Sequence, residues 1–249
     1  MLINSSPWLI ALALNSLLLS ISFAIPKKLL TPSGYLHAWM LGVIVWGTLG
    51  WRGYVVVMFY FLVGSAVTKI GMAQKEAEGI AEKRSGQRGP ENVWGSAAVG
   101  TICALGTLFS GEWIKSFLIL GYVASFCTKL SDTTASEVGK AYGKRTYLIT
   151  TLKPVPRGTE GAVSLEGTSA GFLASVIMAF LAWGIGMINL WGILWCAIAA
   201  FVATTIESLI GATIQSKWEW LTNEMVNGIN TAIGAVAAIV LGLGVNQWL

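Results

Sequence analysis

Between residues 129 and 166 the chain gathers a dense set of side chains able to do chemistry. They are Lys129, Asp132, Thr133, Thr134, Ser136, Glu137, Lys140, Lys144, Arg145, Lys153, Arg157, Thr159, Glu160 and Glu166, interleaved with Gly139, Gly143, Gly158 and Gly161. Carboxylates bind a hard cation through oxygen, Lys and Arg balance phosphate charge, and glycines let backbone N–H groups approach phosphate oxygens. The mixture therefore suits a magnesium-bound polyphosphate. A zinc centre would ask for His and Cys, but Cys103, Cys127 and Cys196 stand singly in apolar runs and read as packing thiols. The same residues admit a structural reading, in which Asp132 or Thr134 caps a helix, Glu137 completes a capping box from Thr134, and the basic residues serve topology. No Gly-x-x-x-x-Gly-Lys-Ser/Thr loop and no protein-kinase signature is present, so a bound nucleotide would use another scaffold.

A second constellation is Glu207, Gly211 and Gln215, followed by Asn223, Glu224, Asn227 and Asn230. On helices the first three share one face, and the three Asn share another. An acidic side chain such as Glu207 after a long apolar run is costly unless paired or wetted, which makes it a functional candidate; interhelical hydrogen bonding is the alternative for the Asn residues. A third group contains Ser65, Thr68, Lys69, Lys75, Glu76, Arg84, Arg88, Glu91 and Asn92. Lys69 closes an apolar stretch, where it either meets a ligand or snorkels to the interface. His37 has no role in proton transfer in this reading.

These residues must be positioned by elements of an unusual chain. Only 11% of its 249 residues are charged and 55% are hydrophobic, against about 25% charged in soluble domains. The charges leave empty runs at 1–26, 29–51, 92–111, 167–206 and 225–249, and a bilayer core takes about 20 apolar residues as helix. The expected fold is all-α: one polytopic transmembrane bundle over 1–249. Eight candidate spans, with six to eight as the safer range, fall at 7–25, 34–50, 53–69, 93–109, 113–130, 168–188, 190–212 and 226–248. The first run lacks a preceding basic residue and a small-residue cleavage pattern, so it reads as an anchor rather than a removable signal.

With eight crossings, alternate connections share a side. One side then takes Lys27, Lys28, Lys69, Lys75, Lys83, Arg84, Arg88, Lys129, Lys140, Lys144, Arg145, Lys153, Arg157 and Lys217, and the other takes only Arg52 and Lys115. This asymmetry predicts that the basic side is cytoplasmic or equivalent, with both termini opposite. Two longer polar connections lie on that side, 70–92 and 131–166; the second begins as a short helix from Asp132 to about Tyr142 and continues as a loop. Function is expected there. Of the twelve Trp residues, Trp8, Trp51, Trp113 and Trp248 lie near span ends, the pattern of an interfacial belt and not of a nucleic-acid surface.

The stretch SDTTASEVGKAYGKRTYLITTLKPVPRGTEGAVSLEGTSAG, from Ser131 to Gly171, resembles the central signature of the integral membrane family that includes phytyl-phosphate kinase and transmembrane-protein-19-like proteins. The TPSGYLHAWMLG, GSAVTKIG, ESLIGATIQ and LTNEMVNGINTAIGA stretches, from Thr31, Gly64, Glu207 and Leu221, resemble that family's other blocks in the same order. The resemblance implies transfer of the terminal phosphoryl group of a nucleoside triphosphate, CTP by further similarity to phytol and dolichol kinases, to a prenyl phosphate. The product would be phytyl diphosphate for tocopherol and prenylquinones.

For that reaction the expected Mg²⁺ ligands are Asp132, Glu137 and Glu207, acting directly or through water. The expected phosphate ligands are Lys129, Lys140, Lys144, Lys153 and Arg157, with Gly158, Thr159 and Glu166 in the same loop. Lys69, Glu76, Asn223 and Asn227 are expected to contact nucleotide or acceptor. Asp132 and Glu137 lie five apart, about 140° on a helix, so both reach one ion only if Asp132 sits at or before a helix start. The partners implied are the lipid bilayer, a prenyl phosphate acceptor and a nucleoside triphosphate; oligomeric state is left open. A transporter or flippase of a lipid-like anion, or a kinase of the free prenyl alcohol, are the competing readings.

Overall fold

A computed structural model describes residues 6–26, 28–215, 217–218 and 220–244. Lys27, Trp248 and the end of the eighth expected span lie outside the described residues. The helices are α1 (Pro7–Ala24), α2 (Pro32–Thr68), α3 (Met72–Ala77), α4 (Pro90–Gly106), α5 (Glu112–Tyr142), α6 (Leu165–Gly184), α7 (Leu190–Ile210) and α8 (Asn223–Gly244). Six of them, α1, α2, α5, α6, α7 and α8, are long and apolar enough to cross a membrane.

Two of the expected spans run together as α2, but the helix folds back on itself. Gly50 has φ 63° and ψ −158°, a region open almost only to glycine. The consequences are visible on both sides of it. Trp46 and Tyr54 rings lie 5.2 Å apart, whereas eight residues of straight helix span about 12 Å. Arg88 pairs with Leu30 just before α2 and also donates from Nη1 to the Tyr60 hydroxyl at 2.8 Å, two positions about 45 Å apart on a straight rod. With α2 as two legs, and with the 17-residue α4 packed on α2, α5 and α8, the described residues form eight rods, one near each apolar run, and six of the helices are long and apolar enough to cross a membrane.

The bend at Gly50 lies at the end of the bundle away from the polar connections. Arg52 reaches the carbonyl of Gly186, in the α6–α7 turn, at 3.4 Å. Asn15 ties α1 to both legs of α2: its Oδ1 accepts from the Tyr54 hydroxyl at 2.9 Å, and its side chain fills the space a Cβ on Gly42 would need. The bundle is built around α5, which contacts α2, α4, α6, α7 and α8. From Leu120 to Ser131 every residue of α5 is buried. Cys103, Cys127 and Cys196 are buried free thiols, as expected of packing residues. Trp8, Trp51 and Trp113 are exposed near rod ends, consistent with an interfacial belt.

Two expectations need correction. The short helix at 132–142 is not separate, because α5 runs without a break from the apolar core through Tyr142. The polar connection is therefore 143–164, and although the bundle is helical as expected, this connection is not a plain loop: it folds as an antiparallel hairpin of β1 (Thr146–Leu148) and β2 (Ala162–Ser164). The other connection, 69–89, carries α3 and a 3₁₀ turn at Lys83–Gly86.

Candidate active site

Running α5 past the apolar core carries its polar residues out at one end of the bundle. The ends of α2, α4, α6, α7 and α8 meet it there with the two connections. They enclose a cavity of about 1050 Å³, at the upper end of the roughly 300–1,000 Å³ of ordinary ligand pockets. Among its walls are Lys129, Asp132, Ser136, Glu137 and Lys140 of α5, Gly158, Thr159, Glu160 and Gly161 of the hairpin, Glu207 and Gln215, and Asn223, Glu224 and Asn227 of α8. The connection after α2 contributes Lys83, Arg84 and Arg88, and α4 contributes Glu91 and Asn92.

Lys129 is a buried cation in the cavity wall. Its Nζ lies 2.6 Å from Asp132 Oδ2 and donates to Asn227 Oδ1 at 2.8 Å, so α5 and α8 are joined through the ammonium. Glu207 lines the cavity together with Asp132, Lys129, Glu160 and Lys140. Asp132 and Glu207 thus look into the same space from α5 and α7. Glu207 lies at the end of α7, which continues as a π-turn over Gly211–Gln215. Gly161 has φ 74°, and a Cβ there would fall on the Ala212 nitrogen and Ser208 carbonyl. The missing side chain lets the hairpin lie directly on this turn.

Glu137 lines the cavity as an ion-paired carboxylate. Asp132 sits inside α5, so Glu137 projects about 140° away from it. It forms an ion pair with Lys75 of α3, whose Nζ also donates to the Thr68 carbonyl at 2.8 Å. Side-chain exposure is 0% for Lys75 and 2% for Glu137, so each neutralises the other's buried charge. Lys140 approaches both Glu137, at 3.7 Å, and Glu82, at 3.5 Å. These contacts fasten the 69–89 connection over the cavity.

The outer rim is held by further ion pairs. Arg84 bonds Glu91, and also Asn92 Oδ1 at 3.0 Å, while Asn92 Nδ2 donates to Glu224 Oε1 at 3.3 Å. The Arg84 guanidinium holds the Glu91 carboxyl, ahead of the apolar run of α4, below the usual carboxylate range. Arg157 does not line the cavity; it bridges the two connections by bonding Glu78 at 2.6 Å and the Ala141 carbonyl at 3.3 Å.

Nine of the residues expected from sequence line one space: Lys129, Asp132, Glu137, Lys140, Gly158, Thr159, Glu207, Asn223 and Asn227. Lys69, Lys144, Lys153, Arg157 and Glu166 are outside its walls. Lys69, Lys144 and Lys153 are exposed at the same end of the bundle, where they add to the positive field without reaching the cavity. Glu76 accepts from Ser85 at 2.8 Å, and His37 accepts from Trp94 Nε1 at 2.8 Å. Asn230 is fully buried below Asn227 with neither amide atom bonded. Sequence reasoning missed the wall made by Thr168 and Phe172 of α6 and by Phe201, Thr204, Thr205 and Ser208 of α7. A signal existed, since 201, 204, 205 and 208 have the spacing of one helix face leading to Glu207.

The donor set fits a hard cation in part. Among the described residues no three His, Cys, Asp or Glu side chains come together, and Glu137 is taken by Lys75. Asp132 meets Lys129 through Oδ2, and it lines the cavity together with Glu207. A magnesium ion commonly uses one or two carboxylates, keeping waters and substrate phosphates as its other ligands, and Asp132 and Glu207 are two carboxylates of this cavity of that kind.

Comparison with known proteins gives consistent matches. The family described as "Integral membrane protein DUF92" matches residues 15–235. An uncharacterized membrane protein of Synechocystis is 67% identical over 94% of this chain and 90% of its own length. The chloroplastic protein VTE6 of Arabidopsis thaliana is 46% identical over 96% of this chain and 73% of its own. An uncharacterized membrane protein of Methanocaldococcus jannaschii is 27% identical over 96% of this chain and 98% of its own. No solved structure matches the chain.

Proposed function

This chain belongs to the DUF92 family of integral membrane proteins, and from that premise we propose that it is a membrane prenyl-phosphate kinase. It moves the terminal phosphoryl group of a nucleoside triphosphate, CTP by the resemblance of its central signature, onto phytyl phosphate. The products are phytyl diphosphate, for tocopherol and prenylquinone synthesis, and a nucleoside diphosphate. The observation that carries the reading is the large cavity at one end of a membrane bundle in which Lys129, Lys140, Arg84 and Arg88 meet Asp132 and Glu207. The basic-residue asymmetry supports a cytoplasmic or equivalent location for that end.

An oxygen of the acceptor phosphate attacks the terminal phosphorus in line. The new P–O bond forms as the bond to the bridging oxygen breaks, and that oxygen leaves on the nucleoside diphosphate. A phosphate monoester with a second pKa of about 6 is already largely dianionic at neutral pH, so the attack needs no strong general base. Catalysis of such a transfer rests on positioning and on compensation of charge spread over phosphoryl oxygens. Lys129, held by Asp132 and Asn227, is a fixed cation in the cavity wall. Lys140 and Arg88 present charge from the two sides of the cavity. Asp132 and Glu207 would hold Mg²⁺, which would supply positive charge to offset that of the phosphoryl groups.

The test is phosphoryl transfer by the purified protein in detergent with Mg²⁺, offering phytyl phosphate and phytol in parallel, each with CTP, ATP, GTP and UTP. Diphosphate formed from phytyl phosphate, with CTP preferred, is the expected result. Phosphorylation of phytol alone would replace it with the free-alcohol kinase. Substrate flux through liposomes without nucleotide turnover would replace it with a transporter.

A further inference from the structure

At Phe172 and Phe201 the polar cavity has an apolar border that phosphate chemistry does not use. Phe172 of α6 and Phe201 of α7 both line it, and their rings meet edge to face at 6.3 Å. Phe172 lies about 10 Å along α6 from its start at Leu165, and Phe201 about 9 Å along α7 from Glu207, so this border lies roughly two helical turns in from the polar ends of α6 and α7. Both rings are also exposed, 45% and 47%. They belong to the outward stripes of their helices: Leu165, Phe172, Leu173, Ile177 and Phe180 on α6, and Leu194, Ile198, Phe201 and Val202 on α7 are all exposed. The same two rings therefore face the cavity and the surface turned toward lipid.

Between them and the charges stand Thr204 and Thr205, whose hydroxyls donate back to the carbonyls of Ala200 at 2.9 Å and Phe201 at 2.7 Å. With those hydroxyls satisfied inside the helix, their methyl groups are left to line the passage. The wall thus grades from Lys129, Asp132 and Glu207 through threonine to phenylalanine and then to the lipid-facing flank. An amphipathic monophosphate needs that gradient, because its head must enter a cationic site while its chain stays in hydrocarbon.

Resting on the prenyl-phosphate reading, we infer that the Phe172–Phe201 cleft between α6 and α7 is a lateral doorway. Through it the acceptor's isoprenoid chain passes from the cavity into the bilayer, and the two rings hold the first part of the chain. The acceptor then reaches the site sideways from the membrane, while the nucleotide enters from the aqueous end under the 69–89 connection.

The experiment is photolabelling of the full chain in lipid nanodiscs with phytyl phosphate carrying a diazirine in the first half of its chain, the labelled peptides being located by mass spectrometry. Label is expected on α6 and α7 around Phe172 and Phe201. It should be competed by unlabelled phytyl phosphate but not by an equal amount of phosphatidic acid, and it should be lost in Phe201→Trp, which fills the cleft without adding charge. Competed label on other helices, or label that survives in Phe201→Trp and in Phe172→Trp, would overturn the doorway and leave the acceptor reading standing. Equal competition by phosphatidic acid would make the cleft a general lipid groove and overturn its assignment to the acceptor. No competed label anywhere would overturn both.

Discussion

Lys129 and Lys75 are two buried lysines with different work to do, and the difference lies in where their partners point. Lys129 has Asp132 and Asn227 around it and an open cavity beyond, so its charge remains available to an incoming anion. Asp132→Asn keeps the shape but removes the carboxylate; transfer activity is expected to fall about a hundredfold or more, with the thermal unfolding midpoint in detergent little changed. Wild-type turnover in that variant would remove Asp132 from the site. Lys75 is enclosed with Glu137 and the Thr68 carbonyl. Breaking a buried pair on one side costs about 3–5 kcal/mol, because the remaining charge is stranded, whereas replacing both partners with apolar side chains costs far less. Glu137→Gln and Lys75→Met are therefore expected to lower stability strongly, and Lys75→Met with Glu137→Leu to recover most of it. A stable but inactive Glu137→Gln would return Glu137 to the chemistry.

Among the elements, α2 and the 143–164 hairpin depend on single glycines for different reasons. At Gly50 a Cβ would meet nothing within 4 Å, so Gly50→Ala suffers only the backbone penalty of its positive φ, about 1–3 kcal/mol. At Gly161 the added Cβ would strike the backbone of Ser208 and Ala212, and relief requires the hairpin to lift off the π-turn beside Glu207. Gly161→Ala is expected to reduce phosphoryl transfer more than stability, and Gly50→Ala the reverse. Parallel turnover and thermal unfolding measurements on the two variants check this contrast. Element boundaries were legible only where composition changes abruptly. The break after Ala24 and the start of α4 at Pro90 follow apolar and proline signals. The end of α5 does not, because a helix leaving a membrane need not stop when its sequence turns polar.

For the whole molecule, the fold-back at Gly50 decides how many times the chain crosses. With α2 in two legs, Trp51 and Ser110 lie at one end of the bundle, and Ser85 and Thr159 at the other. The native cysteines are all buried, so single cysteines introduced at these positions report cleanly. Ser85→Cys and Thr159→Cys are expected to react with an impermeant maleimide in vesicles of one orientation, and Trp51→Cys and Ser110→Cys only in vesicles of the other. Labelling of Trp51→Cys from neither side would make α2 a single crossing. The same arrangement explains why nearly all the charge gathers at one end: α5 outruns its neighbours there, and both polar connections fold over its exposed turns.

Composition and charge spacing alone determined that this is a polytopic helical bundle with its polar residues gathered at one end, because hydrocarbon tolerates long apolar helices and excludes isolated charge. They also found Lys129, Asp132, Glu207 and Asn227, whose residue types are too costly in a membrane helix without a purpose. Only the tertiary structure decided which of those groups meet. A helix face is a direction, and its partner is set by packing: Glu137 turned to Lys75 because α5 had no break before it, and Arg157 turned to Glu78 because the hairpin lies beside α3. The apolar end of the cavity was hidden for the same reason, since Phe172 and Phe201 look like any other lipid-facing residues until two helices bring them together.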